Sequence, residues 1–132
     1  ACVVFQKIGS LNMAYLIAIP EFSDNRGCLC VVENVLPFEI KRIYYISDVK
    51  GKRGGHRHKK TIQALICLSG SCEIFVNNGN EATTFKLDKN NKCLIVGPDD
   101  WHTMDDFSKS ATLLVLASEL YDAADYIEEP YT

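Results

Sequence analysis

The chain is a succession of short runs of β-branched, aromatic and aliphatic residues, with almost nothing at helical period. Clusters of Gly, Asn, Asp and Pro separate the runs, and these residues favour turns because they tolerate or adopt left-handed backbone. The predicted strands are residues 3–8, 15–19, 30–36, 40–49, 62–68, 72–76, 83–87, 94–96 and 112–117. This pattern predicts an all-β sandwich or barrel, with the jelly roll as a leading candidate.

Particular turns are predicted with more detail. Asn78-Gly79 stands between two strand-like runs and predicts a β-hairpin. Gly54-Gly55 is interpreted as a turn, and residues 119–127 as a short helical turn packed on one end of the sheets. The length of 132 residues fits one compact domain, residues 1–132.

Composition excludes several classes of protein. Hydrophobic residues make up 47% and charged residues 23%, as in a globular protein rather than a disordered one. No apolar run approaches the ~20 residues of a membrane-spanning helix, so no membrane partner is expected. The net charge of −3 argues against nucleic acid as a partner. No secretory signal is visible, and a cytoplasmic location is the expectation.

The six cysteines contain no Cys-x-x-Cys pair. A zinc knuckle or a redox motif of the thioredoxin type is therefore not predicted. Most of the cysteines lie among Val, Leu and Ile, and we expect them to behave as small buried hydrophobic residues.

Two of the three histidines, His56 and His58, lie one residue apart in a basic segment. Six of the 14 Lys and Arg residues fall between residues 50 and 60, which indicates a site for a compact anion such as a phosphate, or else a solvated loop. At positions i and i+2 of a strand, the two imidazoles would point to the same face. Alternation would place Gln63 on the opposite face, so a bulge or strand break is expected near residues 59–61.

The spacing of His56-Arg57-His58, Gln63 and Gly70, with His102 much later, resembles the metal-binding motifs of the cupin superfamily. That resemblance implies a double-stranded β-helix, or jelly roll. Gln63 stands where metal-binding cupins have Glu, and an amide is a weaker ligand for a divalent cation. The nearby Lys and Arg residues would also repel a cation. We therefore predict no metal and no cofactor.

Over essentially its whole length the sequence resembles a narrower cupin family, the sugar nucleotide 3,4-ketoisomerases of the FdtA/QdtA (WxcM-like) branch. The segments that carry this resemblance are 24–27, 41–46, 53–59, 63–71, 101–108 and 116–127. The resemblance implies an isomerase that moves the ketone of dTDP-4-keto-6-deoxyglucose from C4 to C3 without a metal. It also implies a homodimer and a place in the synthesis of dTDP-3-amino-3,6-dideoxyhexoses for surface glycans.

The resemblance assigns catalysis to His56 and His58. A histidine has an ordinary pKa of about 6.5 and suits both proton abstraction at C3 and proton transfer between the two oxygens of an enediol. Tyr44 is a third candidate, for hydrogen bonding to a sugar hydroxyl or for the proton relay. Alternation places it on one strand face with Arg42, which indicates a face that opens on an anionic ligand.

Further residues are expected to bind the substrate. Arg53 and Lys59 flank the histidines and would neutralise the diphosphate. Gln63 would hold a sugar hydroxyl or orient a histidine. Trp101 would pack on the sugar or the thymine. For His102, a role in the site and a structural role both stay open.

Two other functions stay open. The first is a metal-dependent cupin enzyme that uses His56, His58, Gln63 and His102. The second is a non-catalytic cupin that binds a sugar nucleotide. The sequence also leaves open which histidine takes the C3 proton and whether C4 of the product has the gluco or the galacto configuration.

Overall fold

The computed structural model describes residues 13–132 and consists almost wholly of short strands. Within these residues a single 3-10 helix (Ala123–Asp125) precedes the last strand. The strands are β1 (Tyr15–Ala18), β2 (Glu21–Asp24), β3 (Gly27–Cys30), β4 (Arg42–Ser47), β5 (Arg53–His58), β6 (Gln63–Ser69), β7 (Cys72–Asn77), β8 (Ala82–Leu87), β9 (Lys92–Val96), β10 (Trp101–Asp105), β11 (Thr112–Ala117) and β12 (Tyr126–Ile127).

The strands form two five-stranded antiparallel sheets and a separate hairpin of β2 and β3. The first sheet has the order β1-β9-β6-β11-β4, and the second has the order β12-β5-β10-β7-β8. Neighbours in both sheets are mostly distant in sequence, because the chain repeatedly passes from one sheet to the other. The all-β jelly roll predicted from the sequence is confirmed.

The main hydrophobic core lies between the two sheets. Leu65, Leu94 and Leu113 project into it from the first sheet, and Ile74 and Val76 project from the second. All five are 0% exposed, and burial of a side chain of this size contributes about 1.5–3 kcal/mol. The alternation of inward and outward residues along these strands is the pattern that predicted them.

A second core cluster covers the outer face of the first sheet. Ile66 of β6 and Ile95 of β9 project outward there and are covered by Val35 and its neighbours. The sequence analysis wrongly predicted a strand over residues 30–36. Strand β3 ends at Cys30, and Asn34 has a φ of +54°, which an extended strand cannot contain. The apolar residues of this segment pack on the sheet without joining it.

The Gly54-Gly55 pair also differs from its prediction, because it lies inside strand β5 and not in a turn. Both glycines have positive φ, +82° and +85°. His56 pairs with His102 of β10, while Gly54 pairs with the next residue, Thr103. Gly55 is therefore the extra residue of a β-bulge, a conformation that glycine adopts at no steric cost.

Other local predictions are confirmed. The Asn78-Gly79 turn joins β7 to β8 in an antiparallel hairpin, and the 3-10 helix lies within the predicted tail segment. Three cysteines are buried as expected, but Cys28 is exposed and Cys30 is half-buried. The strand predicted over residues 3–8 lies outside the described residues. Between residues 13 and 132, no helix is long and apolar enough to cross a membrane.

Candidate active site

A cavity of about 350 Å³ opens at one end of the space between the two sheets. Strands from both sheets contribute to its wall. The side chains that matter for its chemistry are those of Arg42 and Tyr44 from the first sheet, and of Arg53, His56 and Tyr126 from the second. The cavity therefore combines two guanidinium groups, two phenols and an imidazole.

Strand β4 supplies Arg42 and Tyr44 to the cavity. Along this strand, inward residues are half-buried and outward residues are exposed, in strict alternation, as the sequence analysis expected. The Arg42 guanidinium carbon lies 5.3 Å from the centre of the Tyr44 ring and 5.7 Å from that of Tyr121. Arg42 Nε is buried and has no hydrogen-bond partner among the described residues. Such a group is suited to an anionic ligand.

Gln63 enters the site from the first sheet because the chain changes sheets just before it. Strand β5 of the second sheet ends at His58, and β6 of the first sheet begins at Gln63. The expected strand break is confirmed, and it lets Gln63 face the histidines across the interior. Gln63 is 1% exposed, and its Nε2 donates a hydrogen bond of 2.9 Å to the hydroxyl of Tyr44. Ala117 pairs with Gln63 on one side and Arg42 on the other, and its small side chain leaves room between them.

The bulge in β5 brings Arg53 and His56 to the same side of the strand. These residues are three positions apart, so a regular strand would point them to opposite faces. Because Gly55 is an extra residue, Arg53 pairs with Met104 and His56 with His102, and both partners project inward from β10. A positive charge and an imidazole consequently line one cavity wall.

The three histidines form a compact group at this wall. The ring centre of His56 lies 5.0 Å from that of His58 and 5.1 Å from that of His102. His58 is 1% exposed and His102 is fully buried, whereas His56 is only half-buried and lines the cavity. His102 Nδ1 lies 2.9 Å from the carbonyl oxygen of Asp100. As the carbonyl only accepts, this contact fixes the proton on Nδ1 and leaves Nε2 as an acceptor.

Burial keeps all three imidazoles neutral near pH 7. Desolvation lowers the pKa of His56, against a smaller opposing effect of Glu128. Desolvation and the neighbouring His56 lower the pKa of His58 to about 4. Desolvation lowers the pKa of His102 to about 3. Burial also raises the pKa of Tyr44, so that its phenol stays protonated. The site thus contains neutral bases beside a neutral O–H donor.

Comparison with known proteins shows the family of the chain. The protein-family model described as WxcM-like, C-terminal (FdtA) matches residues 12–132. The chain belongs to this family. A relative named TDP-4-oxo-6-deoxy-alpha-D-glucose-3,4-oxoisomerase, from Aneurinibacillus thermoaerophilus, is 45% identical over 118 residues, which are 86% of this chain and 85% of the relative.

Solved structures of 3,4-ketoisomerases share the fold. The 3,4-ketoisomerase QdtA from Thermoanaerobacterium thermosaccharolyticum, a histidine-to-asparagine mutant in complex with TDP-4-keto-6-deoxyglucose, is 40% identical with a TM-score of 0.87. The match covers 92% of this chain and 90% of QdtA. The WlaRB TDP-quinovose 3,4-ketoisomerase from Campylobacter jejuni is 42% identical with a TM-score of 0.84, covering 88% of this chain and 92% of WlaRB.

Two residues expected to bind the substrate, Trp101 and Lys59, lie away from this cavity. Trp101 neighbours His102 on β10 and therefore projects from the opposite, outer face of the strand. Its indole Nε1 donates a hydrogen bond of 3.0 Å to the carbonyl oxygen of Glu128. Lys59 is exposed at the crossover between the sheets, where its backbone N–H donates to the carbonyl of Asp125. The other seven predicted residues lie in or directly behind the cavity wall.

Tyr126 is the residue of the site that the sequence analysis missed. It lies in β12, a strand of only two residues that pairs with β5, and Tyr126 stands directly opposite His58. Opposed residues in an antiparallel pair share a face, so the Tyr126 ring points into the cavity with the histidines. Nothing local in the tail sequence signals this contact, which depends on pairing between residues far apart in the chain.

The histidine group does not fit a metal ion as it is arranged. The described residues that place three ligand atoms within 4.8 Å of one another are Glu21, Cys28 and Cys30, which lie on the β2–β3 hairpin. The histidine group has no carboxylate, and Arg42 and Arg53 line the same cavity. These two guanidinium groups would repel a divalent cation there.

Proposed function

We propose that this chain is a 3,4-ketoisomerase that acts on a dTDP-linked 4-keto-6-deoxyglucose. The observation that carries the proposal is the cavity, which is lined by a neutral imidazole (His56), a protonated phenol (Tyr44) and two guanidinium groups. Relatives named for this reaction, at 40–45% identity over most of the chain, support the same substrate class. An isomerisation of this kind requires only proton transfers.

His56 is our candidate for the base that removes the C3 proton. It is the histidine that lines the cavity, whereas His58 and His102 lie behind it. A base must be unprotonated to accept a proton, and desolvation lowers the pKa of His56 below its ordinary value of about 6.5. In most protein molecules His56 is therefore in the reactive, unprotonated form at pH 7.

Tyr44 is our candidate for the donor that stabilises the enediolate. Removal of the C3 proton leaves negative charge on the C4 oxygen. The Tyr44 oxygen already accepts a hydrogen bond from Gln63, so its own proton is available to a sugar oxygen in the cavity. A fixed O–H donor directed at developing charge lowers the barrier, typically by about 3–4 kcal/mol for one such group.

The rest of the reaction is a proton exchange between adjacent atoms. The hydroxyl proton at C3 moves to the C4 oxygen, and the protonated His56 then returns a proton to C4, which leaves the ketone at C3. We assign the transfer between the oxygens to His58 with Tyr44. His58 Nε2 is buried and has no hydrogen-bond partner among the described residues, so it is available to exchange a proton.

Arg42 and Arg53 are our candidates for binding the diphosphate. They come from different sheets and meet at one cavity. A guanidinium group binds phosphate oxygens through a planar pair of N–H donors and is always charged. We place the sugar between this cationic side and His56. The 3-keto product is then a substrate for an aminotransferase that would make a 3-amino sugar for surface glycans.

We also propose that the protein is a cytoplasmic homodimer. Large apolar side chains are exposed on the β2–β3 hairpin and on β4, an edge strand of the first sheet: Phe22 (55%), Leu29 (61%) and Ile43 (61%). Such residues are enriched at interfaces. Residues 28, 30, 67, 72 and 93 are all free thiols, which fits a reducing compartment. Light scattering should give twice the chain mass of 14.8 kDa, and a monomer would contradict the dimer.

The function is tested with chelator-treated protein and dTDP-4-keto-6-deoxyglucose, followed by proton NMR. We expect a 3-keto sugar to form at the same rate before and after chelation. His56→Ala and His58→Ala should keep the fold by circular dichroism and lose turnover. Activity that is abolished by the chelator and restored by a metal would indicate a metal-dependent cupin enzyme. Binding of the nucleotide sugar with no new product would indicate a binding protein.

A further inference from the structure

The C-terminal strap, defined here as residues 125–131, lies beside the histidine group. Its strand β12 adds to the edge of the second sheet beside β5. From it the Tyr126 ring reaches both catalytic candidates. The ring centre lies 4.7 Å from that of His56 and 4.6 Å from that of His58. These are contact distances for tilted and edge-to-face aromatic pairs.

We propose that Tyr126 is a positioning residue whose ring holds the imidazoles of His56 and His58 in one mutual orientation and keeps water away from them. The proposal deepens the ketoisomerase function above, on which its consequence for the rate depends. The ring is well placed for this because it touches both imidazoles and also lines the cavity.

The strap is fixed by contacts that do not involve the Tyr126 side chain. Lys59 N–H donates to the carbonyl of Asp125, and Trp101 Nε1 donates to that of Glu128. The Tyr131 hydroxyl donates to the carbonyl of Asp99, while Arg57 lies over the Tyr131 ring at 5.0 Å. Replacing the Tyr126 side chain should therefore leave the strap in place.

Asp125 fixes the same region from the other side. Its carboxylate accepts hydrogen bonds from the Lys60 backbone N–H and from the Thr61 hydroxyl, both on the crossover between the two sheets. Asp125 is 4% exposed. The segment that follows His58 is thus tied to the residue that precedes Tyr126, so the tyrosine and the histidine are held in register.

The exclusion of water from the imidazoles of His56 and His58 affects their pKa values. Desolvation is the largest cause of the lowered pKa of each. The charged and titratable groups that face them act in both directions: Glu128 and Asp125 favour protonation, Arg42 and the neighbouring histidines oppose it, and the Tyr126 phenol faces Tyr44. Water in place of the Tyr126 ring would weaken the desolvation and leave the carboxylates to raise both pKa values.

The experiment measures the pKa of each imidazole by NMR titration, together with the pH dependence of kcat/KM, for the wild type, Tyr126→Phe and Tyr126→Ala. In Tyr126→Ala we expect both pKa values to move up toward about 6.5. The acid limb of kcat/KM should move up with them, and kcat at pH 7 should fall by up to about 10²-fold from misplaced imidazoles. Tyr126→Phe retains the ring and should titrate like the wild type.

Two controls make the result decisive. Tyr45→Leu removes an exposed ring from the outer face of β4, away from the histidines and the strap, and should leave both pKa values unchanged. Tyr126→Leu, which keeps part of the ring volume, serves if the alanine variant does not fold.

Unchanged histidine pKa values in Tyr126→Ala, an equal shift in Tyr45→Leu, or an equal loss in Tyr126→Phe would each overturn the proposal. A wild-type protein that makes no 3-keto sugar would refute the ketoisomerase function, while the titrations would still decide the role of Tyr126.

Discussion

The Tyr44 hydroxyl has one proton, and its surroundings determine where that proton points. Gln63 Nε2 occupies the acceptor side of the hydroxyl, at 2.9 Å. Gln63 is itself held on a strand with buried neighbours on both faces. In metal-binding cupins this position carries a carboxylate that would accept from the phenol. The amide donates instead, which frees the phenol proton for the substrate.

Tyr44→Phe should therefore reduce kcat by about 10²–10³-fold, because it deletes one donor to the developing oxyanion. The KM should change little, since the ring and Arg42 remain. Steady-state kinetics with the 4-keto sugar measures both constants. Tyr45→Phe is the matched control, because Tyr45 projects from the opposite face of β4 and is 71% exposed. Equal losses in the two variants would contradict the role of Tyr44.

At the scale of one element, strand β5 illustrates how a bulge produces a functional site. Gly54 has a φ of +82°, and a Cβ at this position would lie 3.0 Å from the backbone oxygen of His102. Gly54 thus allows β5 to approach β10 closely at the point where His56 pairs with His102. A side chain here would push apart the two strands that carry these histidines.

Gly54→Ala should lower the free energy of unfolding by more than Gly51→Ala does. Both residues have positive φ, which costs about 1–3 kcal/mol for alanine. At Gly51, however, an added Cβ would have no atom within 4 Å, so that variant carries only the backbone strain. Urea unfolding measures the two costs, and kcat should fall in Gly54→Ala alone. Equal costs would show that the close approach to His102 is unimportant.

The strands of the first sheet were predictable because alternation is a local signal, whereas β5, β10 and β12 of the second sheet were not among the predicted strands. Strand β4 has that pattern, and the sequence places Tyr44 and Arg42 correctly on its inner face. Residues 30–36 are equally apolar, yet they pack against an existing sheet, and an apolar run alone does not distinguish the two outcomes.

The site residues that belong to a motif were predictable from the sequence. Those whose position depends on pairing between distant strands were not. His56, His58, Gln63 and His102 follow from their spacing and the family resemblance. The inward orientation of the Arg53 side chain depends on the bulge at Gly55. The position of Tyr126 in the site depends on the pairing of β12 with β5. Trp101 is adjacent to His102 but faces outward, because successive side chains of a strand point to opposite faces. The motif alone does not show which of the two points inward.

For the whole molecule, the buried neutral histidines couple folding to pH. In the unfolded chain a histidine binds a proton below about pH 6.5. In the folded protein His58 resists protonation to about pH 4 and His102 to about pH 3. Between these values the unfolded state binds more protons than the folded state, so stability must fall as the pH falls.

We expect the melting temperature to decrease steadily from about pH 6.5 down to about pH 4. Each unit by which a histidine pKa is lowered on folding corresponds to about 1.4 kcal/mol. Calorimetry across this range measures the slope, and His102→Gln should reduce it because glutamine does not titrate. A melting temperature that stays constant from pH 6.5 to pH 4 would show that the histidines are not held neutral by burial.

The central claim is that the ketone moves from C4 to C3 in the cavity between the two sheets. The most direct test is carbon NMR of dTDP-4-keto-6-deoxyglucose labelled with ¹³C at C4 during incubation with the wild-type protein. We predict that the labelled signal moves from the ketone region to the region of hydroxyl-bearing carbons, and that the His56→Ala protein leaves it in place. A labelled carbon that stays a ketone in the presence of the wild-type protein would contradict the account.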